Sequence, residues 1–185
     1  AHDAQFHALR LAPYLLHTAG RHPDVARSIR GLVDALAGAR IALMQGDISP
    51  KNILCGPNGP IFLDAETACY GDPAFDLAFC LNHLLLKCVW HREHARAYLQ
   101  SFRALKDAYL ARVDWEAAAG LQTRAGRLLP ALLLARVDGK SPVEYLTDAS
   151  ARGLVRAHAR DLLAAGNAGD LTLEAIARAW EQALG

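Results

Sequence analysis

The sequence predicts an α+β chain that is predominantly helical and carries one short β-hairpin. Two apolar triplets, Ile53-Leu54-Cys55 and Ile61-Phe62-Leu63, flank Gly56-Pro57-Asn58-Gly59-Pro60, a composition that turns a chain back on itself. Directly after them, Asp72-Pro73 opens a segment that is apolar nearly all round, as a helix in the middle of a core would be. Downstream, Asp114, Thr147-Asp148 and Thr172 supply helix-capping side chains ahead of further apolar-periodic stretches.

Taken in order, residues 3–18 and 23–38 are expected to form two helices, separated by Gly20-Arg21-His22-Pro23. Asp47 to Lys51 is expected to be a loop, because Pro50 cannot donate to a ladder and pushes Ser49 towards an extended conformation. In the hairpin, a register with Leu54 facing Phe62 sets Ile53 against Leu63 and Asn52 against Asp64. The helix opened by Asp72 should run to about Trp90, followed by helices at 92–111, 114–135, 148–165 and 172–183. Pro130, inside the apolar run Leu128 to Leu134, predicts a kink or a break. Asn167-Ala168-Gly169-Asp170 reads as a turn.

Composition is that of one domain with a real core. The chain has 185 residues, 52% of them hydrophobic, which excludes a disordered chain. The longest apolar stretches are interrupted by Asp76, His83 or Arg136, so no membrane span is expected. His2, Asp3 and Arg10 argue against a signal peptide. A net charge of +1 offers no electrostatic case for nucleic acid. Cys55, Cys69, Cys80 and Cys88 lack paired Cys-x-x-Cys spacing, and the latter two fall in the apolar helix, so reduced thiols and a cytoplasmic location are expected. The sequence starts at Ala1 and its sole methionine is Met44, which suggests a segment of a longer protein.

The chemistry-bearing residues concentrate around the hairpin. Gln45-Gly46-Asp47-Ile48-Ser49-Pro50-Lys51-Asn52 and Leu63-Asp64-Ala65-Glu66 place one carboxylate, one amide and two further acids within a short span. That set suits transfer of a phosphoryl group from a magnesium nucleotide to a hydroxyl: Asp47 accepts or orients the hydroxyl proton while Asn52 and Asp64 hold the metal. Facing residues of an antiparallel ladder have β-carbons roughly 5 Å apart, close enough to share a cation. Oxygen ligands favour magnesium over zinc. A surface hairpin with solvated polar ends is the bland alternative. Lys51 could touch the transferred phosphate or point to solvent, and Ser49 is similarly open; both are candidates for nucleotide contact.

Gly-Asp-x-x-x-x-Asn, then Asp-x-Glu, then Gly71-Asp72-Pro73-Ala74-Phe75-Asp76-Leu77-Ala78 resembles the aminoglycoside phosphotransferase and choline kinase family, small-molecule relatives of the protein kinases. The resemblance covers roughly the first half of the chain. It implies the carboxy-terminal lobe of a protein-kinase-like fold, with Asp47 as catalytic base, Asn52 and Asp64 as magnesium ligands and ATP as phosphoryl donor. Glu66 falls where some branches have an acid that assists the metal, and Asp76 where the family has a buried acid bracing the catalytic loop. Burial alone also asks for partners to Asp76, which backbone amides of the catalytic loop would supply; a mere interaction with the helix dipole is the bland alternative.

Two departures from that pattern stand out. Gln45 replaces the usual histidine, a hydrogen-bonding brace, and glutamine can still donate and accept. Every lysine, at 51, 87, 106 and 140, lies within or after the catalytic loop, and Gly20, Gly31 and Gly38 are too dispersed for a phosphate cradle. The amino-terminal lobe therefore has no counterpart in residues 1–40, and it is the expected partner of this chain together with a small hydroxyl acceptor. The alternative reading is a kinase-derived binding module without catalysis. His83 reads as a core histidine, and His91 and His94 as solvated helix residues. Arg124, Arg127, Arg136, Asp138 and Lys140 could line an acceptor pocket, although a solvated face is preferred for the outer arginines. An aminoglycoside pocket would be rich in acids, and this half of the chain offers arginines as readily, which argues weakly against an antibiotic acceptor.

Overall fold

The computed structural model describes residues 2–166 and 171–185, so the expected turn at 167–170 lies outside the described residues. Its elements are α1 (His2–Phe6), a π-helical segment (His7–Leu16), α2 (His17–Arg21), α3 (Ala26–Gly38), β1 (Ala42–Met44), a 3-10 turn (Pro50–Asn52), β2 (Ile53–Gly56) and β3 (Gly59–Phe62). There follow β4 (Cys69–Gly71), α4 (Ala74–Trp90), a 3-10 turn (Arg92–His94), α5 (Ala95–Leu110), α6 (Ala118–Asp138), α7 (Ala149–Gly166) and α8 (Leu173–Leu184). The described residues are predominantly helical, with two small antiparallel ladders among them. None of the described helices is long and apolar enough to cross a membrane.

The core forms around α4 and α6, which pack on each other. Leu77, Leu81 and Leu85 of α4 and Leu129, Leu132 and Leu133 of α6 are at most 2% exposed. Further helices close over this pair: α5 and α8 on α4, α7 on α6. A buried hydrogen bond ties α8 to α4, with Trp180 Nε1 donating to the Leu85 carbonyl at 3.0 Å. Pro130 does not break α6. The helix runs on to Asp138, because its apolar run is packed between α4 and α7 and that packing outweighs one missing backbone bond. The amino-terminal helical region contains a feature the sequence reading did not include. It widens to π geometry around Pro13, over His7–Leu16.

Helix starts follow their caps. Asp72 Oδ1 accepts the Ala74 N–H at 3.0 Å, Asp148 Oδ1 accepts the Ala151 N–H at 2.7 Å, and Thr172 Oγ1 accepts the Ala175 N–H at 3.1 Å. Asp114 does not cap α6, which starts after Ala117. Likewise α3 begins at Ala26 rather than residue 23, since His22 to Val25 first close a turn through the Val25 N–H to His22 carbonyl bond.

The two ladders are nested. Met44 of β1 pairs with Cys69 of β4, and everything between them leaves and returns through that closed stem. Inside it lies the hairpin, with Ile53 opposite Phe62, Leu54 opposite Ile61, and Gly56 opposite Gly59. The expected register is therefore corrected by one residue. The turn is Pro57-Asn58 alone, tighter than the five-residue loop the sequence suggested, and Leu63 rather than Asp64 bonds to Asn52, its N–H donating to the Asn52 carbonyl at 2.9 Å. A two-residue loop matches strand twist better than a longer one, and Gly59, at φ +116°, supplies the backbone freedom that closing it requires. Beyond the ladder, Asp64 turns the chain through a left-handed conformation, at φ +60°.

Candidate active site

Gln45 opens the loop that leaves β1 and is held on three sides. Its backbone N–H donates to Asp76 Oδ2 at 2.7 Å, and its side-chain Nε2 donates to the carbonyls of Leu63 at 2.7 Å and Asp64 at 2.8 Å. Its Oε1 accepts the Asp47 N–H at 2.6 Å. One glutamine side chain thus ties the first acidic loop to the second. Gly46 follows at φ +81°, its N–H bonded to Asp76 Oδ1 at 2.8 Å. Only glycine fits here, because a β-carbon would stand 2.7 Å from Thr67 Oγ1 and 2.8 Å from the Thr67 carbonyl. Thr67 itself donates to the Gln45 carbonyl at 3.2 Å.

Asp76, in the first turn of α4, thus accepts two consecutive backbone N–H groups of the loop, one on each oxygen. Burial raises its pKa to about 6; the two amide bonds oppose that shift, and the nearby Asp47 carboxylate adds to it.

Asp47 is buried, at 6% exposure. Asn52 Nδ2 donates to Asp47 Oδ2 at 2.8 Å and to the Asp47 carbonyl at 3.1 Å. Because both N–H groups of the amide are committed to Asp47, the Asn52 side-chain oxygen remains the atom able to face an ion. Pro50 and Lys51 form the intervening 3-10 turn. Lys51 is exposed. Ser49 is 0% exposed and its hydroxyl is unpartnered among the described residues, so contact with a nucleotide would need the loop to move. Asp64 and Glu66 are exposed on the second loop.

The sequence reading missed Arg10. This arginine, on the π-helical segment, is 7% exposed and reaches the loop through Nε to the Gly46 carbonyl at 2.9 Å and Nη2 to Asp47 Oδ2 at 3.1 Å. No motif flags it; the only local signal is Pro13 in the same helical stretch, which foretells irregular geometry there.

No group of three or more histidine, cysteine, aspartate or glutamate side chains among the described residues could hold a metal ion by itself. A magnesium site needs no such cage, because that ion keeps several waters and binds through one or two carboxylates plus substrate phosphates. The donor set of Asn52 oxygen, Asp64 and Glu66 fits that requirement chemically.

Other candidate residues lie elsewhere. Arg124 pairs with Asp72 at 2.8 Å and with Glu116 at 2.8 Å, and Arg136 lies 5.1 Å over the Tyr14 ring. Asp138 is a buried hub for Arg156 and His22, at 2.6 and 2.9 Å. Arg127 and Lys140 are exposed. His83 is buried against Phe79, and burial lowers its pKa to about 3, with Arg136, Lys87 and Lys51 adding to the effect. A cavity of about 500 Å³ opens between α3, α6 and α7, lined by Leu32, Leu128, Leu163 and the Asp72–Arg124 pair. Asp47 is not on its wall.

The decisive comparison is with protein families. The model of the phosphotransferase enzyme family, APH, matches residues 2–121, well over half of the chain and all of the loops just described. This chain belongs to the phosphotransferase enzyme family. Membership points to phosphotransferase chemistry in general, and the matched span includes Arg10, the Asp47 loop, the second acidic loop and Asp76. A search of the curated proteins found no match to the chain.

Proposed function

We propose that this chain is the carboxy-terminal catalytic lobe of an ATP- and magnesium-dependent phosphotransferase that acts on a hydroxyl of a small molecule. The observation that carries the reading is the joined pair Asp47–Asn52, held in a loop whose backbone is bonded to Asp76, within a chain of the phosphotransferase family. Asp47 receives the acceptor's proton. The acceptor oxygen forms a bond to the γ-phosphorus, the bond from that phosphorus to the β,γ-bridging oxygen breaks, and the electron pair leaves on ADP. Asn52 and Asp64 would hold magnesium, with Glu66 beside them. When bound, the metal neutralises charge that develops on the phosphate oxygens. Lys51, exposed next to Asn52, is assigned to the transferred phosphate. Gln45 takes the bracing place of the family's usual histidine through its bonds to both loops. Such reactions are governed by positioning and electrostatics, which this loop supplies with a fixed backbone. Three buried thiols, with Cys80 and Cys88 kept protonated by burial at about 11 and 12, agree with a reduced, cytoplasmic setting.

The test is a phosphate-transfer screen of the full-length protein with magnesium, ATP and a panel of hydroxylated metabolites. Asp47→Asn is expected to lower turnover by roughly 10²-fold or more, the scale of a lost general base. Asp64→Ala is expected to weaken magnesium–nucleotide binding itself. Wild-type turnover in the first variant, or unchanged nucleotide affinity in the second, removes the corresponding assignment. Failure of every acceptor, with retained nucleotide binding, turns the reading to a binding module.

A further inference from the structure

The guanidinium of Arg10 has donors on three sides, and all three are engaged. Nε bonds the Gly46 carbonyl at 2.9 Å, Nη1 the Leu9 carbonyl at 2.9 Å, and Nη2 the Asp47 Oδ2 at 3.1 Å. Leu9 lies four residues before Pro13, which has no N–H to offer the Leu9 carbonyl; Arg10 donates to that oxygen instead. The irregular helix therefore anchors one edge of the guanidinium, and the catalytic loop takes the other two. Tyr14 lies beside it, with the guanidinium 6.0 Å from its ring centroid. An exposed arginine–carboxylate pair would contribute little, but this one is shielded from water and bonded at every edge.

The consequence for Asp47 is directional. Arg10 and Asn52 both donate to Oδ2, and no donor among the described residues bonds Oδ1. We propose that Arg10 is a positioning residue for the phosphoryl transfer: it locks the Asp47 carboxylate through Oδ2 so that Oδ1 alone faces the acceptor hydroxyl. This inference rests on Asp47 being the proton acceptor. In the transfer, the acceptor oxygen bonds to the γ-phosphorus, ADP departs with the electron pair of the broken bond, and the hydroxyl proton goes to Oδ1. Arg10 exchanges no proton and touches no substrate. It keeps the carboxylate from rotating away while the bond forms.

The experiment uses the full-length protein and the release of inorganic phosphate from magnesium ATP, with water in the place of the acceptor. Arg10→Ala is expected to lower kcat by about ten- to a hundredfold, the cost of a misplaced reacting group, while KM for magnesium ATP stays within about twofold. Arg10→Lys keeps the charge but loses the fork, and is expected to recover only a small part of the rate. In the nitrogen-15 spectrum, the Asn52 side-chain amide is expected to shift in Arg10→Ala, because its acceptor is no longer fixed. A merely structural role would instead lower kcat in proportion to the folded fraction, and Arg10→Lys would restore it. A folded Arg10→Ala variant with kcat within about twofold of wild type overturns the proposal. Where hydrolysis by the wild type is too slow to follow, an unmoved Asn52 amide signal in that variant overturns it equally. Asp47→Asn separates the two levels. If that variant is as fast as wild type, the assignment of Asp47 fails; if it is slow and Arg10→Ala is not, only the role of Arg10 fails.

Discussion

Asp76 shows what one carboxylate costs and contributes when a loop is built on it. Its pKa is raised from 3.8 to about 6, chiefly by burial. Between those values the unfolded chain has released the proton and the folded chain still holds it, so the folded state binds more protons and stability falls as pH rises. Asp76→Asn cannot titrate. The stability of wild type relative to this variant is therefore expected to decline from about pH 4 to about pH 6 and to level off above that, measured by urea unfolding at each pH. An unchanging difference would mean that Asp76 is not held near neutrality by burial. At Gly46 the constraint is steric instead. With φ at +81° and Thr67 Oγ1 2.7 Å from any β-carbon, Gly46→Ala is expected to lower stability by about 2 kcal/mol and to disturb the Asp47 N–H to Gln45 bond. A thermal unfolding midpoint equal to wild type would show that the loop has room to yield.

Among the elements, α6 and the helices around it are joined by a charge that is buried within an otherwise apolar contact. Asp138, at 3% exposure, closes α6 and accepts from Arg156 of α7 and His22 after α2. Burial is the largest single effect and pushes its carboxyl up, but the bonds and charges of these donors together outweigh it and hold the pKa below the ordinary value of 3.8. A depressed carboxylate stabilises the fold above its unfolded pKa, and the contribution is lost as pH falls through the folded value. Asp138→Ala is expected to cost about 2 kcal/mol at neutral pH, less than a fully buried pair because Arg156 is 36% exposed, and the deficit should shrink below about pH 4. Chemical unfolding at pH 7 and pH 3 checks both halves. Caps such as Asp148 and Thr172 were readable because they act over three residues of the same chain. The limits of that reading are equally physical. Pro130 stays helical because neighbours on α4 and α7 hold it, and nothing local to the proline encodes them. The hairpin register shifted by one because Pro57-Asn58 makes a tighter turn than the five loop residues suggested, and turn length alone decides which residues face each other.

For the molecule as a whole, each of the two ladders leaves an apolar pair exposed. Leu43 and Tyr70 face each other across one ladder at 77% and 56% exposure, and Leu54 and Ile61 across the other at 50% and 55%. Under the proposed two-lobe arrangement the amino-terminal lobe and the nucleotide cover these exposed pairs. The isolated chain is then expected to bind a fluorescent hydrophobic dye more strongly than the full-length protein does, and Leu54→Ser with Ile61→Ser should reduce that binding without unfolding the chain. Equal fluorescence from chain and full-length protein would place the cover elsewhere. By itself the sequence determined the helical character and most of the caps, and it picked out Gln45, Asp47, Asn52, Asp64 and Asp76 as candidates, since these depend on local propensity and on spacing along one stretch of chain. Only the tertiary structure decided that Asn52 turns its amide onto Asp47 and that Arg10 arrives from 37 positions upstream to share the same carboxylate oxygen. A directional bond between residues so far apart exists only after the intervening helices have packed, and no periodicity along the chain announces it.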